Sequence, residues 1–498
     1  MSLQPLGIVV GYLLLALGVG LLAYRVGGSD AEDFYLASRT LGTLVLLFTT
    51  FATLLSAFTF FGGPNLAYAA GPEWILVMGV MDGVLFAILW YVIGYRQWLI
   101  GRARNYVTLG EMLGDRFASP GLRGLVAGVS LLWLFPYVML QQMGAGEALR
   151  GLTGGAVPYW GGAALITLFM IVYVMLAGLR GVAWTDTLQG LFMLSVLWVA
   201  VVWVVSAVGG VGAATEGMVA ANPEFAALGG GLYTPQFIIS SAVTIAFGVT
   251  MFPQINQRFF VAKSATVLKR SFALWPVLVL LLFVPAFMLG AWAAGLPIEV
   301  PEGANVLSVL LAEYTPTWFA AVVVAGAMAA MMSSSDSMLL SGSSYFTRDL
   351  YRPLVAPDAS DRREAWIARI GVAAFATLAF LASLSRPGTL IEVGDTAFSG
   401  FALLAPPVMV ALYWEATTRD GMIVGVGVPQ VLYLLHVLVP ATTVEVAGTT
   451  VDLLARSYGG WDVALAFMVL GALLTVGISA VSSQSVGEDA TRFAVHGD

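Results

Sequence analysis

The chain has 498 residues, of which 59% are hydrophobic and only 10% charged, with a net charge of −7. A soluble domain carries about 25% charged residues, and a nucleic-acid binder needs a basic face; a soluble enzyme, a disordered chain and a nucleic-acid binder are therefore excluded. With no cysteine and only two histidines, His436 and His496, disulfides, thiolate zinc sites and a Ser/His triad fall away too.

A bilayer span needs about 20 mostly apolar residues, and such stretches follow one another along the chain. The first, residues 5–24, has no basic segment before it and no small-residue cleavage site after it, so it reads as a retained helix rather than a signal peptide. Next come 41–63, 73–98, 120–149, 157–179, 181–208 and 235–252. Then follow 270–296, 316–346, 365–384, 390–414, 421–439 and 459–481. The expectation is an all-α polytopic membrane protein of about thirteen helices, a single transmembrane domain over 1–498. With the N-terminus outside, alternation of sides puts all but three of the 22 Lys and Arg, Arg258 and Lys263 among them, on inner loops. The outer side holds only Arg150, Arg386 and Arg456, and inner loops are where the excess belongs.

Two of these helices look interrupted. The second carries Ala57-Phe58-Thr59-Phe60-Phe61-Gly62-Gly63-Pro64, and the seventh Phe247-Gly248-Val249-Thr250-Met251-Phe252-Pro253. Gly and Pro free backbone carbonyls, and paired interruptions in two halves point to a binding site between inverted repeats, here 41–208 and 235–414. Gly and Pro are also common in membrane helices at large.

The ninth helix carries Ser333-Ser334-Ser335-Asp336-Ser337 in an otherwise apolar run. Hydroxyl and carboxylate oxygens are ligands for hard cations, and Ser333, Asp336 and Ser337 share a helix face. Serines also glue helices together, but an ionisable residue at this depth marks a functional site. Asp186, in Trp184-Thr185-Asp186-Thr187-Leu188-Gln189, is the second such carboxylate; a helix N-terminal position is its alternative reading. Asp82 is a third, with no evident partner in the sequence. His436 reads as interfacial.

Beyond these residues, the chain resembles the sodium:solute symporter family. The stretches that carry the resemblance are Asp33-Phe34-Tyr35-Leu36-Ala37-Ser38-Arg39, the Ser56-Ala57 helix, Trp184–Gln189, and Gln257-Arg258-Phe259-Phe260-Val261-Ala262-Lys263-Ser264. To these add Phe346-Thr347-Arg348-Asp349-Leu350-Tyr351 and Ala397-Phe398-Ser399-Gly400-Phe401. The resemblance implies a LeuT-like 5+5 inverted-repeat fold in a prokaryotic plasma membrane, with the C-terminus inside. It implies secondary transport by alternating access, with Na+ as coupling ion and no enzymatic step. The partners implied are a small-molecule solute and the lipid bilayer, with no obligate protein partner.

Carried over by position, the family's central sodium site falls on the carbonyls of Ala52, Leu55 and Ala330 and the hydroxyls of Ser333 and Ser334. The second cation site of some members falls on Asp186, Asp336 and Ser337. Asp336 departs from the Ser or Thr seen there, and it opens H+ coupling as an alternative; a membrane sensor subunit is another. Substrate positions fall on Ser56, Thr59, Tyr137, Gln141, Phe247 and Phe252. Leu54 and Met78 stand where sugar-binding members have polar groups. The expected solute is therefore a carboxylate of the proline, pantothenate or monocarboxylate type.

Overall fold

The computed structural model describes residues 4–26, 41–301, 304–446 and 449–482; the Asp33–Arg39 stretch and Arg492 lie outside them. Among the described residues eleven helices are long and apolar enough to cross a membrane, and two bent pairs, each taken as one span, bring the spans to thirteen. We number them α1 to α13. They are α1 (Gln4–Val26), α2 (Thr43–Leu54 with Phe58–Ala70, bent by 61°), α3 (Leu76–Arg104) and α4 (Pro120–Leu152). Within one continuous helix, Tyr159–Ala207, lie α5 (Tyr159–Leu176) and α6 (Val182–Ala207). Next are α7 (Pro235–Met251 with Pro253–Val261, bent by 57°), α8 (Ala265–Ala293), α9 (Thr317–Leu354) and α10 (Asp361–Ser383). The last are α11 (Leu390–Tyr413), α12 (Arg419–Leu438) and α13 (Val463–Val481).

The spans sort by enclosure. The apolar window of α9 is 83% buried and that of α10 only 22%, so the serine-rich helix runs through the centre and α10 lies against lipid. Leu15, Leu22, Val202, Leu378 and Leu473 point outward, as hydrocarbon allows. Small residues bring the bent helices close to their neighbours. A Cβ added at Gly144 of α4 would collide with Ala57, and one at Gly248 of α7 with the Phe398 carbonyl of α11.

The structure moves the first interruption. The sequence places it in Ala57–Pro64, but the chain is extended at Leu55 and Ser56. Phe58–Gly62 forms a π-turn, and Gly63–Ala70 continues as helix. The missing N–H of Pro64 is tolerated where the ladder is already widened. The seventh helix does not end at Phe252: Pro253 opens a second half that runs to Val261. This half takes Arg258 off the inner loops and buries it at 1% exposure.

Between α12 and α13 the otherwise helical chain also forms two small hairpins among the described residues. β1 (Thr442–Val446) pairs with β2 (Thr449–Leu453), and β3 (Ser457–Tyr458) with β4 (Trp461–Asp462). Gly459 and Gly460 supply the positive φ values, 57° and 84°, that the tight β3–β4 turn requires. Arg456 donates to Thr396 Oγ1 of α11 (2.7 Å) and the Asp462 N–H to Ser240 Oγ of α7 (3.1 Å), which seats this hairpin on the bundle.

Candidate cation and solute sites

At the gap in α2 the N–H of Ala57 does not return to its own helix. It donates to Gln141 Oε1 of α4 at 2.9 Å, and Gln141 Nε2 donates to the Tyr137 carbonyl at 3.2 Å. The carbonyls before the gap turn to α9 instead. Ser334 Oγ donates to the Thr53 carbonyl at 2.9 Å and to that of Leu55. Ala52, Leu55, Ala330, Ser333 and Ser334 are all buried at 2% exposure or less, on helices that pack together. Of these five, Ser334 is joined directly to the α2 gap, while Ser333 Oγ turns to Asp186 Oδ1 at 2.6 Å.

Asp186 is the hub of a second cluster. Its Oδ2 accepts from Thr49 Oγ1 (2.7 Å), Arg258 Nη2 (3.3 Å) and Thr53 Oγ1 (3.5 Å). Arg258 Nη2 also reaches Ser337 Oγ at 2.6 Å and Thr49 Oγ1 at 3.3 Å, and Nη1 reaches the Gln254 carbonyl at 3.4 Å. Thr53 and Ser337 hydroxyls lie 3.0 Å apart. Four spans, α2, α6, α7 and α9, meet here around a fully buried ion pair, whose attraction is little screened.

Asp186 and Ser337 thus lie close together, with Arg258 bonded to both. Asp336 is buried within electrostatic reach of Asp186, yet its Oδ1 meets no hydrogen-bond partner among the described residues. Asp82 is likewise fully buried, with both carboxylate oxygens unpartnered. His436 bonds within its own helix and lies edge-on to Phe467.

Beside the α2 gap lies a cavity of about 30 Å³. Ser56, Thr59 and Tyr137 line it, together with Leu54, Met78, Phe86, Trp275, Phe283 and Phe398; no charged side chain does. Tyr137 OH donates to Ser56 Oγ at 3.2 Å, and its ring packs on Phe252 and Phe398, centroids 5.0 and 5.3 Å away. Phe252 therefore backs the wall rather than forming it. Phe247 is half-buried and away from the cavity, and Gln141 is spent on capping the α2 gap. A larger cavity of about 210 Å³ lies between α4, α9 and α10, but its lining is nearly all apolar, with Leu131, Met338 and Phe375 typical of it.

A profile of the sodium:solute symporter family matches residues 34–428. The chain belongs to the sodium:solute symporter family. Among its relatives, the sodium/pantothenate symporter of Escherichia coli (strain K12) is 29% identical over 440 residues, spanning 87% of this chain and 90% of that protein. The sodium/proline symporter of Haemophilus influenzae (strain ATCC 51907 / DSM 11121 / KW20 / Rd) is 28% identical over 468 residues, spanning 87% and 88%. A Na+-coupled sialic acid symporter in a substrate-bound, outward-open state superposes with a TM-score of 0.78 at 19% identity, covering 97% of this chain and 98% of that one. MhsT in complex with L-phenylalanine superposes at 0.54. The fold is thus LeuT-like, and the chain is a multi-pass membrane symporter coupled to sodium rather than an enzyme; the comparisons lend no support to a proton in that role.

Sequence reasoning missed three residues of the Asp186 cluster. Thr49 and Thr53 are four apart on one face of α2, a signal available but weak. Arg258 was hidden by ending the seventh helix at Phe252. An Arg flanked by Phe259, Phe260 and Val261 is itself the mark of an intramembrane cation that needs a carboxylate.

Proposed function

We propose that this symporter carries a small carboxylate-bearing solute of the proline, pantothenate or monocarboxylate type. Sodium sits at Ala52, Leu55, Ala330, Ser333 and Ser334. The observation that carries this is the Ser334 hydroxyl lying on carbonyls that the α2 gap has released. Neutral carbonyl and hydroxyl oxygens suit a hard monovalent ion. The ion ties α2 to α9 and so holds Leu55 and Ser56, which are part of the solute cavity wall. Ion and solute therefore favour the same arrangement, which is the physical content of coupling.

The solute's carboxylate meets the hydroxyls of Ser56, Thr59 and Tyr137 and the positive end of the second half of α2. Its apolar part lies against Phe86, Trp275 and Phe283. The apolar Leu54 and Met78 in the wall disfavour a polyol, and the two relatives named above act on a carboxylate and an imino acid. Alternating access moves one repeat, 41–208, against the other, 235–414, in a prokaryotic plasma membrane, with the N-terminus outside and the C-terminus inside.

The test is uptake into proteoliposomes of L-proline, pantothenate and lactate under an inward sodium gradient, against a potassium gradient of equal size. Sodium-driven uptake of one of them, lost in Ser334→Ala, is the expected result. Uptake of none, or uptake indifferent to sodium, overturns the reading.

A further inference from the structure

We infer that Arg258 is a tethered cation. Its guanidinium fills the position between Asp186 and Ser337 where a second sodium would sit, so the transporter binds one sodium rather than two. The inference rests on the sodium reading of the central site above, but concerns a different group of atoms.

An ionised carboxylate offers about four lone-pair directions. At Asp186 four donors occupy them: Ser333 on Oδ1, and Thr49, Thr53 and the Arg258 Nη2 on Oδ2. Ser337 Oγ accepts from Arg258 Nη2 at 2.6 Å and donates its own proton to the Thr53 hydroxyl oxygen, 3.0 Å away. No lone pair of the Asp186 carboxylate is left for an added cation. Within the hydrogen-bonded cluster the charge balances, one buried carboxylate against one buried guanidinium at 1% exposure each; Asp336 lies near it but makes no hydrogen bond to it among the described residues.

A guanidinium suits this role. It stays charged at any accessible pH, and it is more weakly hydrated than an ammonium or a small metal ion. One Nη2 group serves Asp186, Ser337 and Thr49 together, and so links α7 to α2, α6 and α9. Sodium in the same position would need Arg258 to leave. It would then strand a guanidinium beside Trp90, Phe259, Leu268, Phe272 and Trp275, which line the same small pocket, an uncompensated buried charge. Position in the chain gives Arg258 its reach: it is the sixth residue of the half-helix that begins at Pro253, on the far side of the α7 bend from the solute cavity.

The experiment counts 22Na+ bound per purified chain at saturation in detergent, with no solute present. The wild type is expected to bind one. Arg258→Met, which vacates the position and keeps side-chain bulk, is expected to bind two. Its melting temperature in NaCl should also exceed that in KCl by more than the wild-type difference, because sodium then neutralises Asp186. Arg258→Lys, which keeps a tethered charge, returns the count to one, as does Arg258→Met with Asp186→Asn. A wild-type count of two overturns the inference even if no Arg258 variant folds, and so does a folded Arg258→Met that still binds one. Ser334→Ala in the wild-type background separates the two readings. It brings the count to zero if the central site is correct, and a count that stays at one refutes the central site while leaving the assignment of Arg258 standing.

Discussion

The two bent helices break in different ways, and the difference assigns them different work. In α2 the gap is closed from outside: Gln141 of α4 takes the Ala57 N–H, and Ser334 of α9 meets the Thr53 and Leu55 carbonyls. In α7 the bend is closed by its own chain. Asn256 Nδ2 donates to the Phe252 carbonyl at 2.8 Å and to that of Thr250 at 3.2 Å, so these two carbonyls already have a side-chain partner from their own helix. A gap capped by neighbours leaves oxygens facing a site; a gap capped by itself presents side chains, here the aromatic ring of Phe252 behind Tyr137. Broken helices are not equivalent ion sites merely because both are broken.

Four substitutions break or sharpen this contrast. The largest effect is expected from Ser334→Ala. It removes the hydroxyl at the α2 gap and with it the sodium-specific stabilisation, which at sodium one hundred times its Kd is about 2.7 kcal/mol. Melting temperatures in NaCl and KCl at matched ionic strength read it directly. Gln141→Leu leaves the buried Ala57 N–H unpartnered, at a cost of about 2 kcal/mol; because it loosens the same gap, sodium affinity should fall along with stability in a sodium titration of the melting temperature. Asn256→Ala makes the opposite case. It exposes the α7 carbonyls at a cost of about 1 kcal/mol, yet the same titration should give an unchanged sodium midpoint. If its midpoint moves as far as that of Gln141→Leu, the division of labour between the two breaks is wrong. The smallest effect is expected from Tyr137→Phe, which loses the bond to Ser56 but keeps its stacking on Phe252. A loss of about 0.5–1 kcal/mol, seen as a several-fold higher KM for the transported solute with sodium dependence intact, is the predicted outcome.

The fold was largely legible. Thirteen spans, two interruptions five spans apart and a polar ninth helix all follow from composition and spacing, because a bilayer forces apolar length and internal hydrogen bonding onto every helix that crosses it. The hairpins after α12 were not legible, since their strands are as short as two residues. The candidate site was legible in part. Ser333, Ser334, Ser337 and Asp186 stand out as polar groups in apolar helices, and the structure brings them together. Gln141 takes the Ala57 N–H at the α2 gap, and Phe247 is not among the residues that line the small cavity. A glutamine on α4 carries no sign that its partner is an N–H on α2, 84 residues earlier in the chain.

The sequence by itself determined that this chain lives in lipid, how many times it crosses, where its helices weaken and which polar groups are too deep to be idle. Those facts are written in residue type and period, which local physics reads without knowledge of neighbours. Only the tertiary structure decided which carbonyls remain free at each break, and that Asp186 has a cation of its own in Arg258. Hydrogen-bond capacity is shared among side chains far apart in sequence, and until helices are packed no residue shows which of its lone pairs are taken.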